Sequence, residues 1–203
     1  MADIAEKHKL WVVSDEIHCD LIRTGLRHVP MGKIMPEYDR LITAMSASKT
    51  FNLAGLSFSD IIIRNDEERK RFIGRDKTHG AINPLSVAAH KAAYEHAGEW
   101  LDELKLYIDG NLKFVKEFLD ANIPTAVFQI PDATYFAWVD FRKTLPDVKD
   151  LSLFFANKAG VLLEGGDALF VGNAEGFVRL NLAMPRALVK EGLERMASAI
   201  NNR

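Results

Sequence analysis

Short apolar runs alternate with longer amphipathic segments along this chain. The runs LWVVS and LITAM are apolar on both faces, which is typical of buried parallel strands, and FSDIIIR predicts a third strand. The first nine residues predict the end of a helix. Later runs predict four more strands, in the order AVFQI, TYFAWVDF, VLLE and GFVRLNLAM. Strands that alternate with helices across short connections indicate an α/β fold.

The segments between these runs predict helices. The dense charges from Asp66 to about Asp76 indicate an exposed helix, and Asn83 followed by Pro84 is typical of a helix start. Spacing of i, i+3 and i+4 predicts a core-facing stripe in the helix that follows, made of Leu85, Ala88, Ala89, Ala92 and Ala93. The small residues of TFNLAGLS predict a tight loop, with Gly55 as the position of an unusual backbone angle.

A long amphipathic helix is predicted after Gly98. Its apolar side consists of Leu101, Leu104, Ile108, Leu112, Val115 and Leu119. A further helix is predicted over LSLFFANKAG, starting near Asp150, and a closing helix from Pro185. The buried stripe predicted for the closing helix is Leu188, Val189, Leu193, Met196 and Ile200. The glycines of LLEGGDALFVGNAEG predict a mobile loop before the last strand.

Composition limits the classes of function. The chain has 203 residues with 26 basic and 28 acidic side chains, so a formal charge of −2 gives no case for nucleic acid or a membrane surface as a partner. The single cysteine, Cys19, excludes an intrachain disulfide and fits the reducing cytoplasm. No apolar run has membrane-spanning length, and no signal peptide is expected at the N-terminus. The histidines and the cysteine show no metal-ligand spacing, so no metal is expected.

Two of the predicted strands end in residues that carry chemistry. Asp15 follows LWVVS, and Ser46 and Lys49 follow LITAM. Ligands bind at the carboxyl ends of parallel strands, so an acid and an amine there indicate a cofactor site. Pyridoxal phosphate catalysis uses these two groups: a lysine that holds the aldehyde as a Schiff base, and a carboxylate that keeps the pyridine nitrogen protonated.

The segments VVSDEIHCDL, SASKTFNLAGLSFSDIII and GFVRLNLAMPR, in this order, resemble the fold-type I superfamily of pyridoxal-phosphate-dependent aminotransferases. The similarity is strongest to its cystathionine β-lyase-like C–S lyase branch, and it covers essentially the whole chain. It implies that Lys49 is the Schiff-base lysine, that Asp15 partners the pyridine nitrogen, and that Ser46 binds the cofactor phosphate. It also implies that Arg179 binds the substrate α-carboxylate.

The residue types of the last strand are consistent with that role for Arg179. Alternation places Val178, Leu180, Leu182 and Met184 on one face, and Phe177, Arg179, Asn181 and Ala183 on the other. A guanidinium on a rigid strand matches a carboxylate with two parallel hydrogen bonds, and a structural salt bridge is the alternative reading. For Arg186, which follows Pro185, we expect a salt bridge.

The chain departs from the resembled superfamily at several places. Many aminotransferases carry a tyrosine where this chain has His18, as the C–S lyases do, and His18 is assigned to the cofactor or to a local polar contact. Many relatives carry a phosphate-binding arginine where this chain has Ser57. The chain also opens where a family member would be near its middle. We therefore expect the C-terminal half of an enzyme, without the glycine-containing phosphate turn, the ring-stacking aromatic residue and the Asn-Pro motif.

The resemblance implies a domain organisation and an activity. Residues 1–98 would form the C-terminal part of the large cofactor domain, and residues 99–203 the linking helix and a small α/β domain. The expected reaction is β-elimination from an amino acid to pyruvate, ammonia and a thiol, by a cytoplasmic homodimer. Transamination and an inactive fragment are the alternatives. Ser46-Ala-Ser-Lys49 also matches the S-x-x-K signature of acyl-serine enzymes, but their S-D-N and K-T-G motifs do not occur.

Overall fold

A computed structural model describes residues 1–75, 82–166, 170 and 172–203. The chain divides into two compact units, Met1–Leu104 and Lys105–Arg203. The predicted mobile loop falls partly outside the described residues, as does Asp76 at the end of the predicted charged helix. None of the helices in the described part of the chain is both long and apolar enough to cross a membrane.

The first unit contains a small mixed sheet. Its strands are β1 (Val12–Asp15), β2 (Leu41–Met45) and β3 (Asp60–Ile63), in the order β1-β2-β3. Strands β1 and β2 are parallel, with Val12 opposite Leu41, and β3 runs antiparallel to β2. The helices are α1 (Ala2–Lys7), α2 (Met31–Ile34), α3 (Ala47–Thr50), α4 (Asp66–Arg75), α5 (Pro84–His96) and the start of α6 (Gly98–Asn122), with a 3-10 turn at Ala54–Leu56.

The prediction that β1 is buried on both faces is wrong for Val13, whose surface is 68% exposed. The inward side of this region is a small cluster of Ala5, Met35 and Leu41, with Val12 packed against it. Successive side chains of a strand point to opposite faces of the sheet, and this cluster covers the face that carries Val12 but not the face that carries Val13.

Helix α5 begins as the sequence predicts but faces another way. Asn83 caps it by accepting a hydrogen bond from the Leu85 N–H at 2.9 Å. The predicted apolar stripe is wrong at Leu85, which is 72% exposed, and at Ala88 and Ala92, which are also exposed; Ala89 and Ala93 are half-buried. The buried side instead carries Ser86, whose hydroxyl donates to the Leu56 carbonyl at 2.7 Å. Alanines carry little hydrophobic area, so their spacing discriminates poorly between the faces of a helix.

Four antiparallel strands form the sheet of the second unit. They are β4 (Val127–Phe128), β5 (Phe136–Asp140), β6 (Glu164–Gly165) and β7 (Phe177–Asn181), in the order β4-β5-β7-β6. Helices α7 (Leu151–Ala159) and α8 (Arg186–Asn201) pack against each other, and α7 also packs against β6 and β7. This confirms an α/β arrangement, with a mixed sheet in the first unit and an antiparallel sheet in the second.

The second unit holds a dense apolar core. The predicted stripe of α6 is buried from Ile108 onward, and the predicted inner face of β7 is buried at Val178, Leu180 and Leu182. Helix α7 starts at its Asp150 cap, whose side chain accepts from the Leu153 N–H, and it ends at Gly160 in a left-handed conformation. In α8 the predicted stripe is buried at Val189, Leu193 and Met196, whereas Leu188 is exposed and Ile200 is only half-buried.

Candidate active site

The sheet of the first unit brings the predicted acid and amine to one edge. Strands β1 and β2 run parallel, and Asp15 lies opposite Ala44 in the register. Asp15 is the last residue of β1, while Ser46 directly follows β2 and Lys49 lies in α3, the turn of helix that begins there. Because both strands end at the same edge, Asp15, Ser46 and Lys49 are all delivered to it.

Lys49 projects from this edge without a local partner. It is exposed, and no hydrogen bond or ion pair joins it to any residue that the structure describes. Its neighbour Thr50, by contrast, is almost fully buried. The Thr50 hydroxyl donates to Asp20 Oδ2 at 3.1 Å, so the backbone is held immediately beside a lysine whose amine stays accessible.

Ser46 is buried at the start of α3 and its hydroxyl is engaged on both sides. The hydroxyl accepts from the Ser48 N–H at 3.0 Å and donates to the Phe58 carbonyl at 2.7 Å. Serine is favoured at this position because its oxygen satisfies a backbone donor of the first turn. A phosphate at Ser46 would have to replace the Phe58 carbonyl as the acceptor of the hydroxyl proton.

Asp15 is exposed and its Oδ1 accepts from the Ile17 N–H at 3.1 Å. Sequence reasoning missed its neighbour Glu16, which is the buried acid of this edge. Glu16 accepts hydrogen bonds from Ser14 Oγ at 3.0 Å, His28 Nε2 at 2.8 Å and the Met31 N–H at 2.9 Å. Burial works to raise the pKa of Glu16, but the hydrogen bonds from His28, Met31 and Ser14 outweigh it and hold the pKa below its ordinary value.

The Glu16 contacts fix the segment that carries His18. Residues 17–20 form a turn in which the His18 carbonyl accepts from the Leu21 N–H at 3.0 Å, and His18 is half-buried. Glu16 ties the start of this turn to His28 and to the start of α2. The only signal for this role in the sequence is a second acid directly after Asp15, since its partners lie 12 and 15 residues further along the chain.

The loop between α3 and β3 takes an unexpected conformation. The prediction that Gly55 holds the unusual backbone angle is wrong: positive φ occurs at Asn52, with φ 55°, and at Ser57, with φ 49°. Asparagine tolerates the left-handed region better than most residues, whereas serine at Ser57 is an uncommon choice. Ser57 directly precedes Phe58, whose carbonyl holds Ser46.

Arg179 lies on β7 in the second unit and already has an anionic partner. It is opposite Glu164 of β6 in the register, and the two side chains form a salt bridge. The guanidinium carbon also lies 4.2 Å from the centre of the Phe136 ring. Its Nε is buried and has no hydrogen-bond partner among the described residues, so part of the guanidinium fork remains unused.

The contacts of Arg186 differ from the predicted salt bridge. Within the described part of the chain it makes no salt bridge; instead its Nε donates to Asn111 Oδ1 at 3.0 Å, and its guanidinium lies over the Tyr107 ring. Asn111 is fully buried and donates through Nδ2 to the carbonyls of Leu182 at 2.9 Å and Met184 at 3.1 Å. Sequence reasoning missed Asn111, a polar residue on the apolar side of α6.

No group of three or more histidine, cysteine, aspartate or glutamate side chains in residues 1–75, 82–166, 170 and 172–203 is arranged to hold a metal ion. The groups described at the sheet edge are the amine of Lys49, the exposed carboxylate of Asp15, the buried carboxylate of Glu16 and the engaged hydroxyls of Ser46 and Thr50.

Comparisons with known proteins find relatives that match nearly the whole of this chain. The chain is 36% identical over 204 residues to cystathionine beta-lyase PatB of Bacillus subtilis, an alignment that covers 99% of this chain and 52% of PatB. It superimposes on a PLP-bound C-S lyase from Staphylococcus hominis with a TM-score of 0.93 at 44% identity, covering 98% of this chain and 52% of that one. Cystalysin from Treponema denticola, whose structure contains pyridoxal 5'-phosphate, gives a TM-score of 0.93 at 38% identity, with coverage of 98% and 51%.

This chain spans about half the length of these relatives. The sequence profile of the family described as aminotransferase class I and II matches residues 1–196. The match includes both units and all the residues assigned above to a site. The chain therefore belongs to the class I and II aminotransferase family.

Proposed function

We propose that this chain is the Lys49-bearing part of a pyridoxal-phosphate-dependent C–S lyase. The observation that carries the proposal is the delivery of an accessible Lys49 amine and the Asp15 carboxylate to one edge of a parallel strand pair. The relatives named as cystathionine beta-lyase and C-S lyase support it. The expected substrate class is an amino acid with a thioether at its β-carbon, such as cystathionine.

The donor set fits two of the four polar groups of the cofactor, its aldehyde and its pyridine nitrogen. An amine is the group that combines with its aldehyde, and a carboxylate is the group that stabilises a protonated pyridine nitrogen. The fit is incomplete at the phosphate, because the Ser46 hydroxyl is engaged and Ser57 offers no positive charge. When bound, pyridoxal phosphate supplies an electron-withdrawing ring that stabilises negative charge at the substrate α-carbon.

The chain's own residues divide the remaining work. Lys49 Nζ, once released from the cofactor, takes the proton from the substrate α-carbon as a general base. Asp15 would be the carboxylate that faces the ring nitrogen, and the Ile17 N–H orients this carboxylate through Oδ1. Arg179 is assigned to the substrate α-carboxylate. To bind it, the guanidinium would either leave Glu164 or contact both carboxylates.

In the proposed reaction the Cα–H bond breaks first, Lys49 takes the proton, and the electron pair stays at the α-carbon. That pair forms the Cα–Cβ double bond as the Cβ–S bond breaks, and the sulfur leaves with the electrons of the broken bond as a thiolate that takes up a proton. Addition of water to the remaining unsaturated amine gives pyruvate and ammonia. The role of Lys49 is therefore confined to one proton transfer and to holding the cofactor.

Transamination is the second candidate, favoured by the class I and II profile itself, which is named for aminotransferases. It shares proton removal at the α-carbon but leaves the Cβ–S bond intact. His18 stands where many aminotransferases carry a tyrosine, and this favours the lyase. We also assign the protein to the cytoplasm, which its single cysteine supports, and to a homodimer, which the family resemblance suggests.

The test combines absorbance with chemical trapping. The purified chain is mixed with pyridoxal phosphate, reduced with borohydride and digested for peptide mapping. We expect a visible absorbance band and label concentrated on Lys49, both lost in Lys49→Ala. Lys70→Ala is the matched control, because Lys70 is an exposed lysine on α4, remote in sequence and paired with Glu67.

If the label is scattered over surface lysines in the wild type as it is in Lys49→Ala, the assignment of Lys49 is overturned. Where Lys49 is labelled, incubation with cystathionine separates the two candidates. The lyase releases pyruvate and a thiol in equal amounts without a keto-acid acceptor. The aminotransferase releases no thiol and depends on the acceptor.

A further inference from the structure

Three separate segments of the first unit meet at the carboxylate of Asp20. Asp20 lies in the turn after β1, and its Oδ2 accepts the Thr50 hydroxyl from α3 at 3.1 Å. The same oxygen accepts the Tyr94 hydroxyl from α5 at 3.0 Å. One carboxylate oxygen thus joins the turn after β1, the end of α3 and the last turn of α5.

This junction lies directly beside Lys49 in the chain. Thr50 is its next neighbour and is almost fully buried. Phe51 follows, with its ring in edge contact with Tyr94 at 5.3 Å and stacked near Trp100 at 6.0 Å. On the other side of Lys49, Ser46 holds the start of α3. Lys49 itself is exposed, so its direction is set by these neighbours rather than by contacts of its own amine.

We propose that Asp20 is a positioning residue for Lys49, acting through the hydroxyls of Thr50 and Tyr94. The effect on the Lys49 reaction rests on the proposed function, whereas the effect on the order of the segment around Lys49 does not. Asp20 orients Thr50, Thr50 fixes the backbone beside Lys49, and Tyr94 holds the Asp20 carboxylate toward α3. A reacting amine that is displaced by a small distance loses much of its advantage over an amine in solution.

The charges around the junction fit this role. Partial burial raises the pKa of Tyr94, and the Asp20 carboxylate raises it further, so the phenol keeps its proton and remains a donor at neutral pH. Burial also raises the pKa of Cys19 to about 11, with a further contribution from Asp20. The thiol beside Asp20 therefore stays protonated and does not compete with Lys49 for an aldehyde.

The test removes each hydroxyl in turn without removing Lys49. The variants are Thr50→Val and Tyr94→Phe, together with Asp20→Ala and the conservative Asp20→Asn, which retains an acceptor oxygen. The control is Tyr38→Phe. Tyr38 also donates its hydroxyl to backbone carbonyls of the first unit, those of Ala5 and Leu10, but it lies in the cluster behind β1. Like Tyr94→Phe, the Tyr38→Phe substitution removes one phenolic oxygen, so it reports how a general loss of stability affects both readouts.

Two readouts are made on the full chain. The first is the share of borohydride-trapped pyridoxal phosphate that is found on Lys49 rather than on other lysines. We expect Thr50→Val and Tyr94→Phe to lower this share by about fivefold, the factor that corresponds to one net hydrogen bond. The second is amide hydrogen exchange in the peptide that covers residues 46–51, which needs no cofactor. Both variants should speed this exchange, and Tyr38→Phe should not.

Asp20→Asn should stay nearer to the wild type than Asp20→Ala in both readouts. The proposal is overturned if Thr50→Val and Tyr94→Phe match Tyr38→Phe in the exchange of residues 46–51. It is also overturned if exchange changes while the share of label on Lys49 does not. If the wild type itself shows no preference for Lys49, the proposed function fails instead, and the exchange measurement still decides whether Asp20 orders this segment.

Discussion

The two units of the chain are stabilised in different ways. The second unit closes an apolar core around side chains such as Phe155 and Val139, which have no exposed surface. The first unit buries few large apolar residues in its described part and instead joins its segments through polar groups such as Glu16, Ser46 and Asp20. The unit that presents the reactive groups is thus held by directional contacts, whose geometry depends on particular atoms rather than on total apolar area.

Removing a core side chain from the second unit should give the largest effect. Phe155 contacts the ring of Phe141 at 5.4 Å and is completely buried. Phe155→Ala should lower the free energy of unfolding by about 3–5 kcal/mol, because it removes apolar area and leaves a cavity. Urea unfolding followed by circular dichroism measures this. Leu162→Ala is the control, since Leu162 is 89% exposed; a comparable loss there would contradict the description of the core.

Asn111 is the exception within the second unit, because it is a polar residue in an apolar core. Asn111→Leu should cost about 2–3 kcal/mol, since it leaves the buried carbonyl of Leu182 without its donor and Arg186 without its acceptor. The same urea titration measures the loss. A neutral result would mean that apolar packing alone holds the end of β7, and the contrast between the units would then be sharper than described.

Glu16 tests whether polar contacts stabilise the first unit. Its pKa is lowered on folding, so its contribution is present above the unfolded value near 4.5 and is lost as the pH falls through the folded value. Glu16→Gln should lower the free energy of unfolding by about 1–2 kcal/mol at pH 7. The difference between wild type and variant should shrink in titrations toward pH 3. A difference that grows on acidification would reverse the assigned direction.

Surface ion pairs should give the smallest effect. Lys70 and Glu67 are 2.9 Å apart on α4, but their side chains are 73% and 75% exposed. Lys70→Ala should change the free energy of unfolding by less than about 0.5 kcal/mol, because solvent and salt screen the pair. The measurement is repeated at low and high salt. A loss as large as that of Glu16→Gln would mean that exposed charges, and not the buried polar groups, stabilise the first unit.

Much of the fold could be predicted from the sequence, because apolar patterning reports burial directly. The strand ends at Asp15 and Ser46, the caps at Asn83 and Asp150, and most of the α6 and α8 stripes follow local rules. The face of α5 could not be predicted, because alanines are weak signals and its real contacts are polar. The exposure of Val13 depends on which elements pack on each face of β1, which the pattern within the strand does not contain.

The candidate site also has a part that the sequence predicts and a part that it does not. The reactive groups Asp15 and Lys49 could be placed on one edge, since parallel strands end together. Their supports could not be predicted, because each joins residues far apart in sequence: Glu16 with His28, Asp20 with Tyr94, and Arg179 with Glu164. Such pairs are set by the packing of whole elements and leave no local periodicity.

The hydrogen bond between Ser46 and the Phe58 carbonyl has a thermodynamic consequence for any ligand of this edge. It joins two residues that are 12 positions apart and so closes the loop that contains Lys49 within the folded chain. The conformational entropy of that loop is therefore lost during folding and is not lost again when a ligand arrives. A ligand that leaves this bond in place should bind with little entropic penalty from the loop, whereas one that takes the Ser46 hydroxyl must reopen it.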